Sequence, residues 1–320
     1  MRTILIKLVR LVIVVWIITL FSFTLIKLTG GNNDLVSKII PFGSEQQKDI
    51  LREDLGLQDP FFTQYFRWLG DFLTGDFGNI YTPNPQPVSE TLAEALPVSL
   101  ELMIYAQVLA LLIAIPLGVA TAYRNGTKFD RGTNTIAFGL LALPNFVVAL
   151  LLAIYVGAKW GWLPTQSNLI PFPLNPIDNW QYMLMPTIAL ALGQIAIYMR
   201  LLRSDMIATL QEDFTTTAKA KGIPTRRVLF RHALRPSSLT LLTVAGLNVG
   251  ALIGGAVVVE RIFNLPGIGS RLTEAILAQQ YVAVQSYVAL IAIFYILINF
   301  FVDVLYTVLD PRIRHARAVA

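Results

Sequence analysis

Long apolar runs alternate with polar segments along this chain of 320 residues. A membrane hydrocarbon core about 30 Å thick is crossed by roughly 20 apolar residues in an α-helix. Six runs approach or exceed that length, and they lie at residues 11–28, 98–122, 134–157, 183–202, 239–259 and 287–309. The pattern therefore predicts an all-α polytopic membrane protein with six transmembrane helices, the third of them with Pro144 near its middle.

Composition and charge agree with a membrane location. Only 14% of the residues are charged and the mean hydropathy is +0.60, whereas soluble domains carry about a quarter charged residues. Most of the positive charge lies in the polar segments before the first span and after the second, fourth and sixth spans. With six spans, all of these segments would lie on the same side of the membrane. That clustering is typical of cytoplasmic loops rather than of a nucleic-acid-binding surface. Both termini are therefore predicted to be cytoplasmic, in a multi-pass protein of the plasma or inner membrane.

The same pattern divides the chain into four regions. They are a first transmembrane helix (1–28), an extracytoplasmic segment (29–97), a core with the other five spans and a cytoplasmic segment at 203–238 (98–310), and a cytoplasmic tail (311–320). In the extracytoplasmic segment, the spacing of Phe62, Tyr65, Phe66 and Leu69 suits one face of a short helix. That helix is expected to lie at the outer membrane interface.

The longest basic and polar stretch between two spans is EDFTTTAKAKGIPTRRVLFRHALRP, residues 212–236. Asp213 is predicted to cap a helix, Gly222 to follow its last turn, and Pro224 to prevent its continuation. A helix of about two turns is unstable alone in water, so it should dock on its own neighbours or on another protein. A solvated cytoplasmic loop that merely carries positive charge is the alternative interpretation.

Motifs for catalysis and metal binding are missing from the sequence. It holds no cysteine, two histidines (His232 and His315), no G-x-x-x-x-G-K-[ST] phosphate loop and no H-E-x-x-H zinc motif. The carboxylates of Glu101, Glu260 and Asp303 lie near predicted membrane interfaces, where structural pairing or solvation explains them. No catalytic residue and no metal ligand is therefore predicted.

Neutral polar residues and glycines inside the spans leave two interpretations open. The neutral polar side chains inside the spans are Gln107, Asn145, Gln194, Asn248 and Asn299. They either line a pathway or form hydrogen bonds between neighbouring helices, and the second role is favoured for most of them. The fifth span carries a face of small residues, Gly246, Gly250, Gly254 and Gly255. This face predicts close packing against another helix, either within the chain or across a dimer. The chain is thus interpreted as a pathway whose energy comes from another polypeptide. A self-sufficient secondary carrier or channel is the alternative, and a membrane enzyme is disfavoured by the missing motifs.

Several short runs, in order along the chain, carry a family resemblance. They are Gly75-Asp76-Phe77-Gly78, Thr217-Ala218-Lys219-Ala220-Lys221-Gly222, Arg231-His232-Ala233-Leu234-Arg235, Gly254-Gly255-Ala256-Val257-Val258-Val259-Glu260 and Asp310-Pro311-Arg312. With these runs, nearly the whole chain resembles the B-type permease subunit of bacterial and archaeal ATP-binding-cassette importers of the dipeptide, oligopeptide and nickel class. The wider family marks its coupling helix with Glu-Ala-Ala, and Thr216, Thr217 and Ala218 stand at those positions here. The glutamate is absent, so a salt bridge from it is not expected.

The resemblance implies a fold like that of type I importer permeases and a non-catalytic role in a larger complex. The implied partners are a homologous C-type permease, two ATP-binding subunits that hold ATP and magnesium, an extracytoplasmic binding protein, a peptide and membrane lipid, with no nucleic acid and no cofactor in this chain. The residues implied to couple the chain to the ATPase subunits are Asp213, Phe214, Thr216, Thr217, Ala218, Lys219, Lys221, Gly222, Arg231 and His232. Candidates for helix packing or the pathway are Asn145, Asn248, Gly250, Gly254 and Gly255. Peptides are the expected cargo; nickel chelates, glutathione and oligosaccharides are the alternatives.

Overall fold

A computed structural model describes residues 2–30, 36–37, 40, 42–54, 56–81, 85–165 and 171–309, and helices dominate these ranges. The helices are α1 (Arg2–Gly30), α2 (Glu45–Asp54), α3 (Phe61–Thr74), α4 (Val88–Tyr123), α5 (Lys128–Ala142), α6 (Asn145–Leu151), α7 (Pro176–Leu210), α8 (Asp213–Ala220), α9 (Thr225–Arg227), α10 (Leu234–Ile262), α11 (Ile268–Leu277) and α12 (Tyr281–Leu309). Two π-helical segments, π1 (Leu152–Lys159) and π2 (Val228–Ala233), continue α6 and α9. Strands β1 (Asn79–Ile80) and β2 (Gln86–Pro87) form one short antiparallel hairpin. The predicted tail at 311–320 lies outside the described residues.

Four helical stretches are long and apolar enough to cross a membrane. They are Val88–Tyr123, Pro176–Leu210, Thr225–Ile262 and Tyr281–Val302, and the bent pair Lys128–Ala142 with Asn145–Lys159 gives a fifth if it is one span. Within the described side chains, α1 contributes a shorter apolar stretch, Leu8–Thr24. The helices extend beyond the apolar runs, because hydropathy marks only the part of a helix that lies in hydrocarbon. The predicted span at 98–122, for example, begins well inside α4.

The third predicted span is broken near its middle, at Pro144. α5 ends at Ala142, and α6 begins at Asn145 after a turn of 96° between the two helix axes. Proline has no N–H to donate within a helix, and its ring drives the preceding residue towards an extended conformation. Leu143 accordingly has φ −93° and ψ 119°.

The chain forms two compact units, and the larger comprises Leu100–Leu265 with Leu305–Ala320. In its described part, α7 packs against α5, α6 and α10 around small buried residues, among them Ala191, Ala196 and Ala245. Gly118 of α4 lies so close to α7 that an added Cβ would stand 3.1 Å from the Leu202 side chain. Small side chains therefore allow these helices to approach closely.

The other unit comprises Met1–Ser99 with Pro266–Val304. Here α3 packs on α1: Tyr65 is buried, its hydroxyl lies 3.0 Å from Thr19 Oγ1, and its ring meets Phe23 edge-on. Phe62 and Phe66 are instead 63% and 59% exposed. The predicted short helix is thus present, and its aromatic face is divided by burial: Tyr65 packs on α1, while the two phenylalanines beside it stay open.

Candidate functional site

The short helix predicted in the basic stretch is present as α8, and its first turn is held by Thr215. The N-cap residue is Glu212, so the predicted cap at Asp213 was wrong by one position; Asp213 is the first helical residue. The Glu212 side chain makes no capping hydrogen bond. The buried Thr215 hydroxyl donates to the carbonyl oxygens of Leu210 at 2.9 Å and Glu212 at 2.8 Å. These bonds tie α8 to the end of α7.

The last turn of α8 ends in a left-handed glycine, as the sequence predicts. Gly222 has φ +75°, its N–H donates to the Lys219 carbonyl at 2.9 Å, and the Ile223 N–H donates to the Ala218 carbonyl at 3.2 Å. This pair of bonds is the Schellman arrangement, which satisfies carbonyl groups that the helix leaves unpaired at its end. Glycine adopts positive φ without the steric cost that a Cβ imposes.

α8 has one face docked on its own unit and one face open. Thr215 and Ala218 are buried where the helix contacts α7 and π2. Phe214 is 47% exposed, although it is a large aromatic side chain. The other implied coupling residues are exposed at Asp213, Thr216, Thr217, Lys219, Lys221, Gly222 and Arg231, and half-buried at His232. The open face thus combines an aromatic side chain with polar and cationic groups.

A cleft of about 230 Å³ lies beside α8 in the same unit. Its lining combines apolar and polar side chains. It is lined by Ala122, Tyr123, Asn125, Ile207, Leu210, Gln211, Lys219, Thr225, Val228 and Leu229. The cleft therefore joins the end of α4, the end of α7, α8 and the start of the helix that continues into α10.

Next to this cleft lies a buried ion pair between α5 and α7, which no sequence motif indicated. Arg203 Nε and a terminal guanidinium nitrogen donate to the two carboxylate oxygens of Asp130 at 2.6 and 2.8 Å. The Asp130 carboxylate also accepts from the Gly126 N–H at 3.0 Å and the Asn134 amide at 2.8 Å. Arg203 donates further to Asn125 Oδ1 at 3.0 Å, and Asn125 lines the cleft. The network fixes the α4–α5 connection to α7.

Polar side chains within the apolar helices bond each other across helices. The Tyr198 hydroxyl of α7 donates to Gln107 Oε1 of α4 at 3.1 Å, and Asn248 Nδ2 of α10 donates to Gln194 Oε1 of α7 at 3.0 Å. The amide of Asn145, just after the break at Pro144, lies 3.4 Å from the position that a Cβ would take at Gly255.

The glycines of the predicted small-residue face differ in their surroundings. Gly250 is buried, Gly255 is half-buried beside Asn145 and Leu190, and Gly254 faces open space. The Glu260 side chain, predicted near an interface, is buried. Within the described ranges, no three His, Cys, Asp or Glu side chains come together as a metal site would require.

Comparison with known proteins gives a consistent result. Residues 114–315 match the family described as "Binding-protein-dependent transport system inner membrane component". The chain is 36% identical to the oligopeptide transport system permease protein AppB of Bacillus subtilis, over 93% of this chain and 94% of that protein. It is 34% identical to the di/tripeptide transport system permease protein DppB of Pseudomonas aeruginosa, over 94% of this chain and 95% of that protein.

The matched region covers α5 to α12, and it includes α8, the cleft and the buried ion pair. Several helices in it are long and apolar enough to span a membrane, as a multi-pass protein requires. The relatives match almost end to end. The chain therefore belongs to the family of inner-membrane components of binding-protein-dependent transport systems.

Proposed function

We propose that this chain is one of two membrane-spanning subunits of an ATP-driven importer of short peptides. Relatives that match it over nearly their full length are named as oligopeptide and di/tripeptide permeases, which supports peptides as the cargo. The chain would cross the membrane six times with both termini in the cytoplasm, α1 being the first span and the broken pair α5 and α6 the third. The predominance of Arg and Lys in the segments assigned to the cytoplasm supports this orientation.

The observation that carries the proposal is the half-docked state of α8. A helix of eight residues needs tertiary contacts to be stable, and Thr215 and Ala218 provide them within the chain. The outward face still presents Phe214, and an exposed aromatic side chain surrounded by polar groups is typical of a protein-binding surface. α8 would fit a groove of a partner ATPase subunit, and its movement would reach the spans through α7 and π2.

The other subunits of the importer would be separate chains. A homologous C-type permease would complete the pathway, two ATP-binding subunits would hold ATP and magnesium, and an extracytoplasmic binding protein would deliver the peptide. The sequence of this chain contains no phosphate loop of its own, which fits a subunit driven from outside. ATP-driven closure of the ATPase subunits would then shift α8 and change which side of the membrane the pathway faces.

The proposal is tested by reconstituting the complex that co-purifies with the chain and measuring ATP hydrolysis and uptake of a labelled tripeptide together. Phe214→Ala is expected to lower the uptake obtained per ATP hydrolysed, because it removes the aromatic contact without disturbing the buried face of α8. Phe66→Ala, on the exposed face of α3, is the matched control and should leave the ratio unchanged. Gly222→Pro and Arg231→Glu should also uncouple transport. Normal coupling in all three coupling variants would contradict the proposal.

A further inference from the structure

Two hydrogen bonds link four polar side chains from three helices of the larger unit. The Tyr198 hydroxyl donates to Gln107 Oε1, and Asn248 donates to Gln194 Oε1, one turn before Tyr198 in α7. Tyr198 is completely buried, whereas the three amide side chains are only half-buried. The amides therefore keep part of their surface open, while Tyr198 holds Gln107 and the pairing of Asn248 with Gln194 holds the other two.

The open amides retain unused hydrogen-bonding capacity. A carboxamide has two N–H donors and an oxygen that accepts two bonds. In the part of the chain that the structure describes, neither Gln107 Nε2 nor Gln194 Nε2 donates a hydrogen bond to another side chain or to the backbone. Both nitrogens belong to partly exposed residues, so a group outside this chain can reach them.

The surroundings of these amides are apolar and uncharged. Residues 103–115, 187–199 and 240–257, which hold the four side chains, contain no Asp, Glu, Lys or Arg. Each residue of a peptide other than proline presents one N–H and one C=O from its main chain, whatever its side chain is. Carboxamides can match both groups at once. A fixed charge would instead hold cargo of opposite charge too strongly for it to leave, and transit requires that binding be weak enough to release.

We propose that Gln107, Gln194 and Asn248 form a cargo-contacting station of the pathway, which exchanges hydrogen bonds with the peptide main chain during passage. This inference rests on the proposed function, since it identifies where in the chain the proposed cargo is touched. It also explains how one pathway serves peptides of different sequence, because the station forms hydrogen bonds with the main-chain amide groups that all peptides share and not with their side chains. Tyr198 positions the station and does not itself touch cargo, because its side chain has no exposed surface.

The chain contains no cysteine, which makes site-specific cross-linking direct. We would introduce Gln194→Cys and Asn248→Cys separately and reconstitute each complex. The probe is a tripeptide whose central side chain carries a pyridyl disulfide, supplied with the binding protein and ATP. Leu247→Cys is the matched control, because Leu247 neighbours Asn248 at the same depth of α10 but is exposed on another face of the helix.

The expected result is that the probe labels the cysteines at 194 and 248 several-fold more than the cysteine at 247, and only when ATP is hydrolysed. Equal labelling at all three positions, or labelling only at 247, would overturn the inference. So would absence of labelling at 194 and 248 in complexes that still import an unmodified tripeptide. If the complex with the unmodified chain imports no peptide with ATP, the proposed function itself has failed, and the two failures are thus distinguished.

A second measurement keeps every native side chain in place, in case a cysteine at these positions prevents folding. A tripeptide with a diazirine side chain is trapped by light during turnover in the unmodified complex, and the attachment sites are mapped by mass spectrometry. Attachment is expected on the segments around Gln107, Gln194 and Asn248. Attachment to this chain only at other segments would overturn the inference.

Discussion

Replacing Arg203 with methionine is expected to destabilise the larger unit strongly. The Asp130 side chain is only 4% exposed, and Arg203 supplies two of its hydrogen bonds, at 2.6 and 2.8 Å. In the Arg203→Met variant, the carboxylate would keep the Gly126 N–H and the Asn134 amide but lose its counter-charge. Removing one partner of a buried ion pair costs about 3–5 kcal/mol, because the remaining charge is left without compensation.

The loss is measured as the midpoint of thermal unfolding in mild detergent, followed by tryptophan fluorescence. At about 2–4 °C per kcal/mol for a unit of this size, the midpoint should fall by roughly 10 °C. Arg67→Met is the control: the Arg67–Asp59 pair is also short, at 2.5 Å, but its side chains are 47% and 36% exposed. Exposed pairs contribute only about 0–1 kcal/mol, so this variant should melt close to the unmodified chain.

The double variant Asp130→Asn with Arg203→Met separates the buried charge from the lost bonds. It removes the stranded carboxylate, so it should be more stable than Arg203→Met alone. If Arg203→Met melts no lower than Arg67→Met, the ion pair does not hold the α4–α5 connection to α7, and the reasoning is refuted.

Three further substitutions test the packing of α4 and the docking of α8. Gly118→Ala places a methyl group 3.1 Å from the Leu202 side chain and should lower stability by about 1–3 kcal/mol in the same melting experiment. Gly139→Ala, inside α5 but facing open space, should not lower stability and should raise it by up to about 1 kcal/mol, because alanine favours the helix. Thr215→Val removes the hydrogen bond that the hydroxyl shares between two carbonyl oxygens, at a cost of about 1–3 kcal/mol, and should speed hydrogen exchange throughout α8. Unchanged exchange would contradict the docking role. Gly222→Ala requires a residue with a Cβ to adopt positive φ, which costs about 1–2 kcal/mol of stability. It should speed hydrogen exchange mainly in the last turn of α8.

The apolar pattern was sufficient to locate the main helices, because the hydrocarbon core imposes a length and a composition on every crossing. It could not show where those helices end outside the membrane, since solvated turns of a helix carry no apolar signal. α4 thus begins at Val88, and α9, π2 and α10 already cover much of the segment predicted as a cytoplasmic connection. Gly222 was predictable because its role depends on the local backbone alone.

The break at Pro144 could not be inferred with certainty from the proline itself, because Pro186 lies within α7 without ending it. Long-range pairing was hidden for a different reason. Asp130 and Arg203 are 73 residues apart in sequence, and no sequence pattern marks them as partners; only the fold places them together. The helix α3 was predictable from its spacing, but its pattern could not show which aromatic residues pack, because the exposed phenylalanines are as apolar as the residues that contact Phe23.

If the chain is a pathway subunit powered by other polypeptides, those polypeptides should remain bound to it outside the membrane. The tagged chain is purified from its native membrane in gentle detergent, and the co-purifying proteins are identified by mass spectrometry. We expect a second permease of the same family and ATPases that carry phosphate loops. Recovery of this chain alone, as a stable homo-oligomer that moves its cargo down a gradient without ATP, would instead indicate a self-sufficient carrier.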